Sequence, residues 1–343
     1  MMVTIRDVAR EARVSVASVS RALNGHAHVT EQTRARIVEV AQRLRYVPHA
    51  AARSLIMRRT HTVGALVPDL HGEYYSELLC GIDRAARARG LHLLVSSSLG
   101  GRAEAAAALR AMAGRVDGML ILSAHVDTAF LRANLPATTP AVLLNSAKSR
   151  EYPVVAIDNL GGTRAMVRHL VSLGHRDIAM IAGPAENFDA QQREQGFRAE
   201  MAASAGHDAP LVVRGDFTEE TGYSAGTELA RRKARPQAIF AANDMMAVGC
   251  LRALTDVGLR VPQDIALVGF DDIPLARYLT PPLTTVRQQI IELGRNGLEQ
   301  LVSCIEKTTT SARAQMLDCE VVVRASCGAK QHKPEKHSKT NNR

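Results

Sequence analysis

The sequence predicts an all-α head at the N-terminus and, after it, an α/β body of two lobes, each a doubly wound parallel sheet. Three observations support this fold class. The first 60 residues show only helical periodicity. From Thr62 onwards, short apolar runs alternate with amphipathic helical segments, in two successive series. With 343 residues, the chain is long enough for a small head and two such lobes, each with an apolar core.

Two short helices joined by a tight turn are predicted near the N-terminus. Thr4 and Asp7 have the spacing of a capping box, and Ser15 is placed to cap a second helix over 16–23. Val19 would face the first helix, which leaves small apolar, hydroxyl and basic side chains on the outer face: Val16, Ala17, Ser18, Ser20 and Arg21. A surface helical hairpin has the same spacing. The outer face favours a helix-turn-helix, because methyl, hydroxyl and guanidinium groups suit thymine, phosphate and guanine.

A third helix is predicted from Thr30, with Ile37 and Val40 on its apolar face, and RYVPHAAARSL follows at 45–55. Together, DVAREARVSVASVSRALNG and RYVPHAAARSL resemble the DNA-binding head and hinge helix of the lactose-repressor (LacI/GalR) family of bacterial transcription regulators. The match is specific, since two separate motifs occur at the family's spacing. The resemblance implies base contacts from the second helix and a minor-groove wedge at Leu55.

The resemblance implies a set of DNA-contacting residues in the head and hinge: Thr4, Ser15, Val16, Ala17, Ser18, Ser20, Arg21, Asn24, His28, Tyr46, Ala52 and Leu55. The turn carries Arg13 where the family usually has glycine, so we expect some backbone strain there with the fold retained. The hinge, 48–55, is too short for a stable isolated helix, and we expect it to fold only when two hinges meet on DNA.

Positive charge is concentrated at the two ends of the chain. Residues 1–60 carry eleven arginines and four acids, 61–327 carry 27 basic and 29 acidic residues, and 328–343 carry five and one. A basic head on a nearly neutral body favours binding to a phosphate backbone. The C-terminal segment GAKQHKPEKHSKTNNR lacks apolar residues, so we expect a disordered, solubilising tail.

Polar side chains follow the apolar runs of the body. The runs at 63–67, 92–96, 119–122, 141–144 and 154–157 form one series, and those at 178–183, 211–213, 238–243 and 265–270 form the second. Gly90, Gly174 and Gly258 each stand where a helix should end. Because open α/β sheets bind ligands beyond the carboxyl ends of their strands, the sequence predicts a polar cleft between the lobes.

Segments such as VPDL, SLGHRDIAMIAGP, AANDMMAVG and LVGFDD extend the resemblance across residues 4–327, to a body similar to periplasmic sugar-binding proteins. It implies effector contacts from nine residues: Tyr74, Ser123, Asn145, Asp189, Arg193, Phe217, Asn243, Asp271 and Gln288. In the family, the positions of Asn145 and Asp189 vary with the ligand. For Asn243 and Asp244, a helix cap is an equally good interpretation.

The resemblance implies a division into a head (1–47), a hinge and linker (48–60), a body (61–327) and a tail (328–343). Within the body, the N-subdomain takes about 61–157 and 288–316, and the C-subdomain about 158–287 and 317–327. The expected protein is a ligand-controlled regulator, by default a repressor, that binds an inverted-repeat double-stranded operator as a homodimer. Its expected effector is a sugar or a similar metabolite. The tail has no leucine heptads, so no tetramer is expected.

Other classes of protein explain less of the sequence. A periplasmic solute-binding protein would explain the body alone, and the N-terminus has no apolar run of a secretory signal, so we expect a cytoplasmic, nucleoid-associated protein without membrane contact. An enzyme is not expected, because GYSAG (222–226) lies in a helical pattern rather than at a nucleophile elbow. Five cysteines without CxxC spacing predict no metal site, and we expect no cofactor.

Overall fold

The computed structural model describes residues 3–23, 29–46, 59–99, 101–123, 126–206, 209–308 and 314–329. The chain forms two compact units, one ending at Thr60 and the other beginning at His61. Several sequence-based predictions lie outside the described residues: the DNA contacts of Asn24, His28, Ala52 and Leu55, the hinge helix at 48–55, and the tail from 330 onwards.

The first unit contains three helices, α1 (Ile5–Glu11), α2 (Val16–Leu23) and α3 (Glu31–Arg43). Their apolar faces meet at Val8, Val19 and Ile37, which are fully buried. The predicted caps are present. The carboxylate of Asp7 accepts hydrogen bonds from the backbone N–H (3.0 Å) and the hydroxyl (2.7 Å) of Thr4, and Ser15 Oγ accepts from the N–H of Ser18 at 3.1 Å. Side-chain caps therefore satisfy backbone donors that a short helix leaves unpaired.

The turn between α1 and α2 holds Arg13 in the left-handed conformation, with φ 51°. Glycine adopts this region without steric cost, so the strain expected from the sequence is present. The arginine side chain is exposed. The N–H groups of Arg13 and Val14 donate to Arg10 and Ala9, which closes the turn.

The second unit is an alternation of strands and helices. In chain order its elements are β1 (Thr62–Val67), α4 (Glu73–Ala88), β2 (His92–Ser97), α5 (Arg102–Met112), β3 (Gly118–Ile121), α6 (Thr128–Asn134), β4 (Ala141–Leu144), β5 (Val154–Ile157), α7 (Asn159–Ser172), β6 (Ile178–Ala182), α8 (Phe188–Glu200), a π-helix (Met201–Ala205), β7 (Val212–Arg214), α9 (Glu219–Arg231), β8 (Ala238–Ala241), α10 (Asp244–Asp256), β9 (Ala266–Asp271), a 3₁₀ helix (Pro274–Arg277), β10 (Thr284–Gln288), α11 (Ile290–Ile305), β11 (Ala314–Leu317) and β12 (Cys319–Val322).

These strands form two sheets, which define an N-lobe and a C-lobe. The N-lobe sheet has the order β11-β5-β4-β3-β1-β2 and is parallel throughout. The C-lobe sheet has the order β12-β10-β9-β8-β6-β7, and only the β10–β12 pair is antiparallel. The two lobes thus repeat one doubly wound plan.

The chain passes between the two sheets three times, after β5, after β10 and after β11. All nine apolar runs that the sequence assigns to strands form strands, whereas β10, β11, β12, α6 and α11 were not predicted from the apolar pattern. Gly90, Gly174 and Gly258 have φ values of 67°, 96° and 78°, as expected for residues that end helices.

Candidate functional site

The outer face of α2 is open to solvent. Val16 is 42% exposed although it is apolar, Ala17 and Arg21 are exposed, and Ser18 and Ser20 are half-buried. The opposite face is anchored in the head core through Val19. A helix fixed on one side that presents methyl groups and a guanidinium on the other suits the edges of bases in a DNA major groove.

The remaining described residues of the predicted DNA contact set also have structural roles. Thr4 and Ser15 are at the N-termini of α1 and α2, where their hydroxyls take part in capping. Tyr46 follows α3 and packs, half-buried, against the head core.

The structure places the nine predicted effector residues at the carboxyl ends of parallel strands. In the N-lobe, Tyr74 is in the first turn of α4, after β1, and Ser123 and Asn145 follow β3 and β4. The other six predicted effector residues belong to the C-lobe: Asp189 and Arg193 on α8, Phe217 after β7, Asn243 after β8, Asp271 at the end of β9 and Gln288 at the end of β10.

Arg193 is the centre of the C-lobe side and is only 3% exposed. Its Nε donates to Asn159 Oδ1 at 2.8 Å, and its Nη1 donates to the carbonyl of Ala242 at 2.6 Å and to Asp271 Oδ1 at 3.3 Å. The guanidinium carbon lies 3.9 Å from the centroid of the Phe270 ring. Hydrogen bonds and ring contact together fix the position of this cation.

Asn159 belongs to the same cluster, although it is not among the nine residues predicted from the sequence. The side chain is 2% exposed, and its Nδ2 donates to Asp189 Oδ1 at 2.8 Å. A signal was present in the sequence, because Asn159 follows the apolar run of β5 with only Asp158 between them, much as Asn145 follows β4.

Two carboxyl groups of the cleft titrate near neutral pH. Burial raises the pKa of Asp189 to about 6, while Arg193 and the amides of Asn159 and Asn145 act in the opposite direction. Burial raises the pKa of Asp271 to about 7, against the lowering effect of Arg193 and of the Gln288 amide. The site therefore carries at most one net negative charge from these three ionisable groups, and it loses negative charge as the pH falls.

Tyr74 and Asn145 are joined on the N-lobe side. Asn145 Nδ2 donates to the Tyr74 hydroxyl at 3.0 Å, and Asn145 Oδ1 accepts from the N–H of Ile157 at 3.2 Å. Burial, together with the charges of Asp189 and Asp271, raises the pKa of Tyr74 well above its usual value. The phenol thus keeps its proton at neutral pH and remains a hydrogen-bond donor.

Gln288 supplies an unsatisfied acceptor. Its Nε2 donates to Asp271, and its Oε1 is buried without a hydrogen-bond partner among the described residues. A buried polar atom without a partner is costly, so a ligand that donates a hydrogen bond to Oε1 would relieve that cost.

Phe217 and Asn243 are neighbours on the C-lobe side of the cleft. The Phe217 ring lies against Gly183, where a Cβ would come within 2.4 Å of it, and the Arg193 guanidinium carbon is 5.8 Å from the ring centroid. Asn243 caps α10 by accepting from Met246 at 2.9 Å, and it donates to the carbonyl of Phe217 at 2.9 Å. The capping role that the sequence left open is therefore present.

A direct contact joins the lobes beside this cluster. Glu73 Oε2, on α4 of the N-lobe, accepts a hydrogen bond from the N–H of Leu275, in the 3₁₀ helix of the C-lobe, at 2.8 Å. Glu73 was not predicted from the sequence, because its partner is 202 residues away in the chain. Glu73 and Tyr74 are adjacent on α4. A change in the separation of the lobes would therefore also change the position of the helix that carries Tyr74.

Within the described ranges, no group of three or more His, Cys, Asp or Glu side chains is arranged to hold a metal ion. Of the helices in those ranges, none is both long enough and apolar enough to cross a membrane. Ser224, in the GYSAG segment, is inside α9, where its hydroxyl donates to the carbonyl of Glu220 at 3.0 Å.

Comparison with protein families gives two matches. Residues 4–49 match the bacterial regulatory proteins of the lacI family, and residues 167–327 match the periplasmic binding protein-like domain. The ribose operon repressor of Escherichia coli (strain K12) is 37% identical over 332 residues, which cover 95% of this chain and 100% of that protein.

Solved structures show the same similarity. The lac repressor dimer bound to operator and the anti-inducer ONPF superposes with a TM-score of 0.86 at 30% identity, covering 96% of this chain and 100% of that one. A LacI family regulator from Enterococcus faecium with bound ribose has a TM-score of 0.71 at 28% identity, covering 77% of this chain and 98% of that one.

Proposed function

Because this chain belongs to the lacI family of bacterial regulatory proteins, we propose that it is a transcriptional repressor whose operator affinity is set by a small hydroxylated effector in the cleft. The observation that carries the effector assignment is the buried, unpartnered Oε1 of Gln288 beside the Arg193–Asp271 pair. The exposed outer face of α2 supports binding to a DNA major groove.

The chemistry of the cleft favours a neutral sugar over an anionic ligand. Hydroxyl groups both donate and accept, so they match Gln288 Oε1, the carboxylates of Asp189 and Asp271, and the Tyr74 hydroxyl. One guanidinium faces two carboxyl groups, and a phosphate or carboxylate on the ligand would meet like charges. We infer that phosphorylated sugars and sugar acids bind poorly.

D-Ribose is the first candidate effector. The related E. coli protein is a ribose operon repressor, and the related Enterococcus faecium protein holds ribose. A pentose offers several hydroxyls in a small volume, which suits a cleft whose lobes are in direct contact at Glu73 and Leu275.

We also propose that the protein acts as a homodimer on an inverted-repeat operator, as one head offers few base contacts. Apolar side chains exposed on both lobes support a second copy as partner, since Leu99 of the N-lobe is 74% exposed and Tyr278 of the C-lobe is 77% exposed. The proposed divisions are a head over 1–47, a hinge and linker over 48–60, a body over 61–327 and a tail over 328–343. A repressor acts on the chromosome, so we expect it in the cytoplasm, on the nucleoid.

Isothermal titration and thermal unfolding of the full chain test the effector proposal. We expect D-ribose to bind, and at about 100 times its dissociation constant it should add ~2.7 kcal/mol to the free energy of unfolding. Phosphorylated ribose, which keeps the same sugar and adds an anionic group, serves as the comparison and should bind much more weakly. Ribose recovered unchanged after prolonged incubation would agree with a regulator rather than an enzyme. Equal binding of both compounds would contradict the charge argument.

Selection of double-stranded DNA from a random pool tests the operator proposal. The selected sequences should share an inverted repeat, because two heads related by twofold symmetry read two half-sites. Enrichment of a single half-site, or of no sequence, would contradict it.

A further inference from the structure

We propose that Asn159 is a positioning residue of the effector site, whose carboxamide bridges Asp189 and Arg193 and so sets the orientation of both groups. This inference rests on the proposed function of the cleft. Arg193 Nε donates to Asn159 Oδ1, and Asn159 Nδ2 donates to Asp189 Oδ1, each at 2.8 Å. The bridge thus joins a cation and a carboxylate of the cleft through two hydrogen bonds to one carboxamide.

A carboxamide suits the two partners at this position. An ionised aspartate only accepts hydrogen bonds and an arginine only donates them, so the residue between them must offer one donor and one acceptor. The same requirement fixes which atom of the Asn159 amide is oxygen and which is nitrogen. A carboxylate at 159 would keep the bond to Arg193 but would repel Asp189.

The backbone around Asn159 is held firmly at a crossover between the lobes. Asp158 N–H donates to the carbonyl of Leu317 at 2.9 Å, which joins two of the three crossovers. Asp158 Oδ1 accepts from the N–H of Gly161 at 2.9 Å and caps α7. The bridging amide is therefore fixed at the point where the chain passes from one lobe to the other.

Several charged or titratable groups face Asp189. Arg193 comes from its own helix, Asp271 from β9, and Tyr74 and Tyr75 from α4 of the N-lobe. Burial raises the pKa of this carboxyl to about 6, and the amide of Asn159 holds it lower than it would otherwise be. Loss of that amide should raise the pKa of Asp189 further.

The test compares Asn159→Asp with Asn187→Asp. Each changes one amide to a carboxylate of the same shape. Asn187 caps α8, the helix that carries Asp189 and Arg193, by accepting from Ala190 at 3.0 Å, and aspartate caps helices equally well. The control therefore adds the same charge near the same helix without touching the bridge.

Titration of the full chain with D-ribose over a pH series gives the first readout. Wild-type affinity should fall as the pH drops through the titration of Asp189. In Asn159→Asp this fall should begin at least about one pH unit higher, because two adjacent carboxyls cannot both ionise easily. At neutral pH the loss of a hydrogen bond to a charged group should weaken binding about tenfold or more. The Asn187→Asp profile should follow the wild type.

Carbon NMR of the ligand-free protein, labelled at the aspartate carboxyl carbon and assigned with Asp189→Asn, gives a second readout that needs no effector. The pKa of Asp189 should rise in Asn159→Asp and stay unchanged in Asn187→Asp. An unchanged pKa overturns the positioning role. A raised pKa in a protein that binds no sugar would instead contradict the proposed function and leave the bridge established.

Discussion

Replacing Arg193 with alanine should destabilise the body by an amount that depends strongly on pH. The guanidinium makes hydrogen bonds to Asn159, Ala242 and Asp271 and stacks on Phe270. At about pH 8 Asp189 and Asp271 are ionised in the wild type, and breaking a buried ion pair typically costs ~3–5 kcal/mol. At about pH 5.5 both carboxyl groups are mostly protonated in the wild type. The substitution then removes only hydrogen bonds, and the expected loss of stability is smaller, ~1.5–3 kcal/mol.

The sign of this dependence follows from proton binding. The folded-state pKa of Asp271, about 7, is above its unfolded value. In the wild type, Asp271 therefore contributes stability that is present at acidic pH and lost as the pH rises from about 4 to about 7. Without Arg193, the folded-state pKa values of Asp189 and Asp271 rise further. At pH values above the wild-type pKa, each additional unit of pKa adds ~1.4 kcal/mol to the stability that the substitution removes.

Urea unfolding followed by far-ultraviolet circular dichroism measures the penalty, and a tryptophan signal is not an option because the chain has no tryptophan. Both proteins are compared at the two pH values. A penalty that is equal at both would show that Arg193 is not paired with titrating carboxyls and would refute the electrostatic description of the cleft. Asp271→Asn in the wild-type background should reduce the pH dependence of stability.

Three other substitutions give independent tests. Glu73→Gln should weaken the bond between the lobes and lower effector affinity by ~1 kcal/mol, about fivefold, in isothermal titration; unchanged affinity would show that this contact does not support closure. Arg21→Ala should cost ~1–3 kcal/mol of operator affinity and relax base preference at one position, whereas Arg36→Ala, an equal loss of charge from α3 of the head, should not change base preference. Tyr278→Asp, at a position that is 77% exposed, should shift sedimentation towards the monomer, while Met316→Asp, on β11 at a position that is 56% exposed, should leave the dimer intact; the reverse pattern would place the interface elsewhere.

Local patterns were sufficient to predict most of the fold. Apolar runs bounded by glycine and polar residues gave all nine of the strands assigned from them, because buried parallel strands need continuous apolar sequence. The strands β11 and β12 are half-exposed and carry polar residues, as in AQML and CEVV, so they lack that signal. Their place in the sheets is decided by pairing with β5 and β10, far away in sequence.

Most of the candidate site, like most of the fold, could be predicted from the sequence. Asn145 follows β4, Asp271 ends β9, and Arg193 is on the helix after β6. The rule that ligands lie beyond the carboxyl ends of parallel strands selects these regions without knowledge of their contacts. Asn159 obeys the same rule, but its role depends on two partners on α8 that no local pattern relates to it. The role of Glu73 could not be predicted from sequence spacing, because its hydrogen bond from Leu275 forms only when the two lobes meet.

The measurement that tests the central claim most directly is the reciprocal effect of effector and operator on each other's binding. Operator affinity is measured by fluorescence anisotropy with and without saturating D-ribose, and ribose affinity by isothermal titration with and without saturating operator. If the cleft controls the head, ribose changes operator affinity, and operator changes ribose affinity by the same factor, as thermodynamic linkage requires. Tight ribose binding in the cleft that leaves operator affinity unchanged would contradict the account.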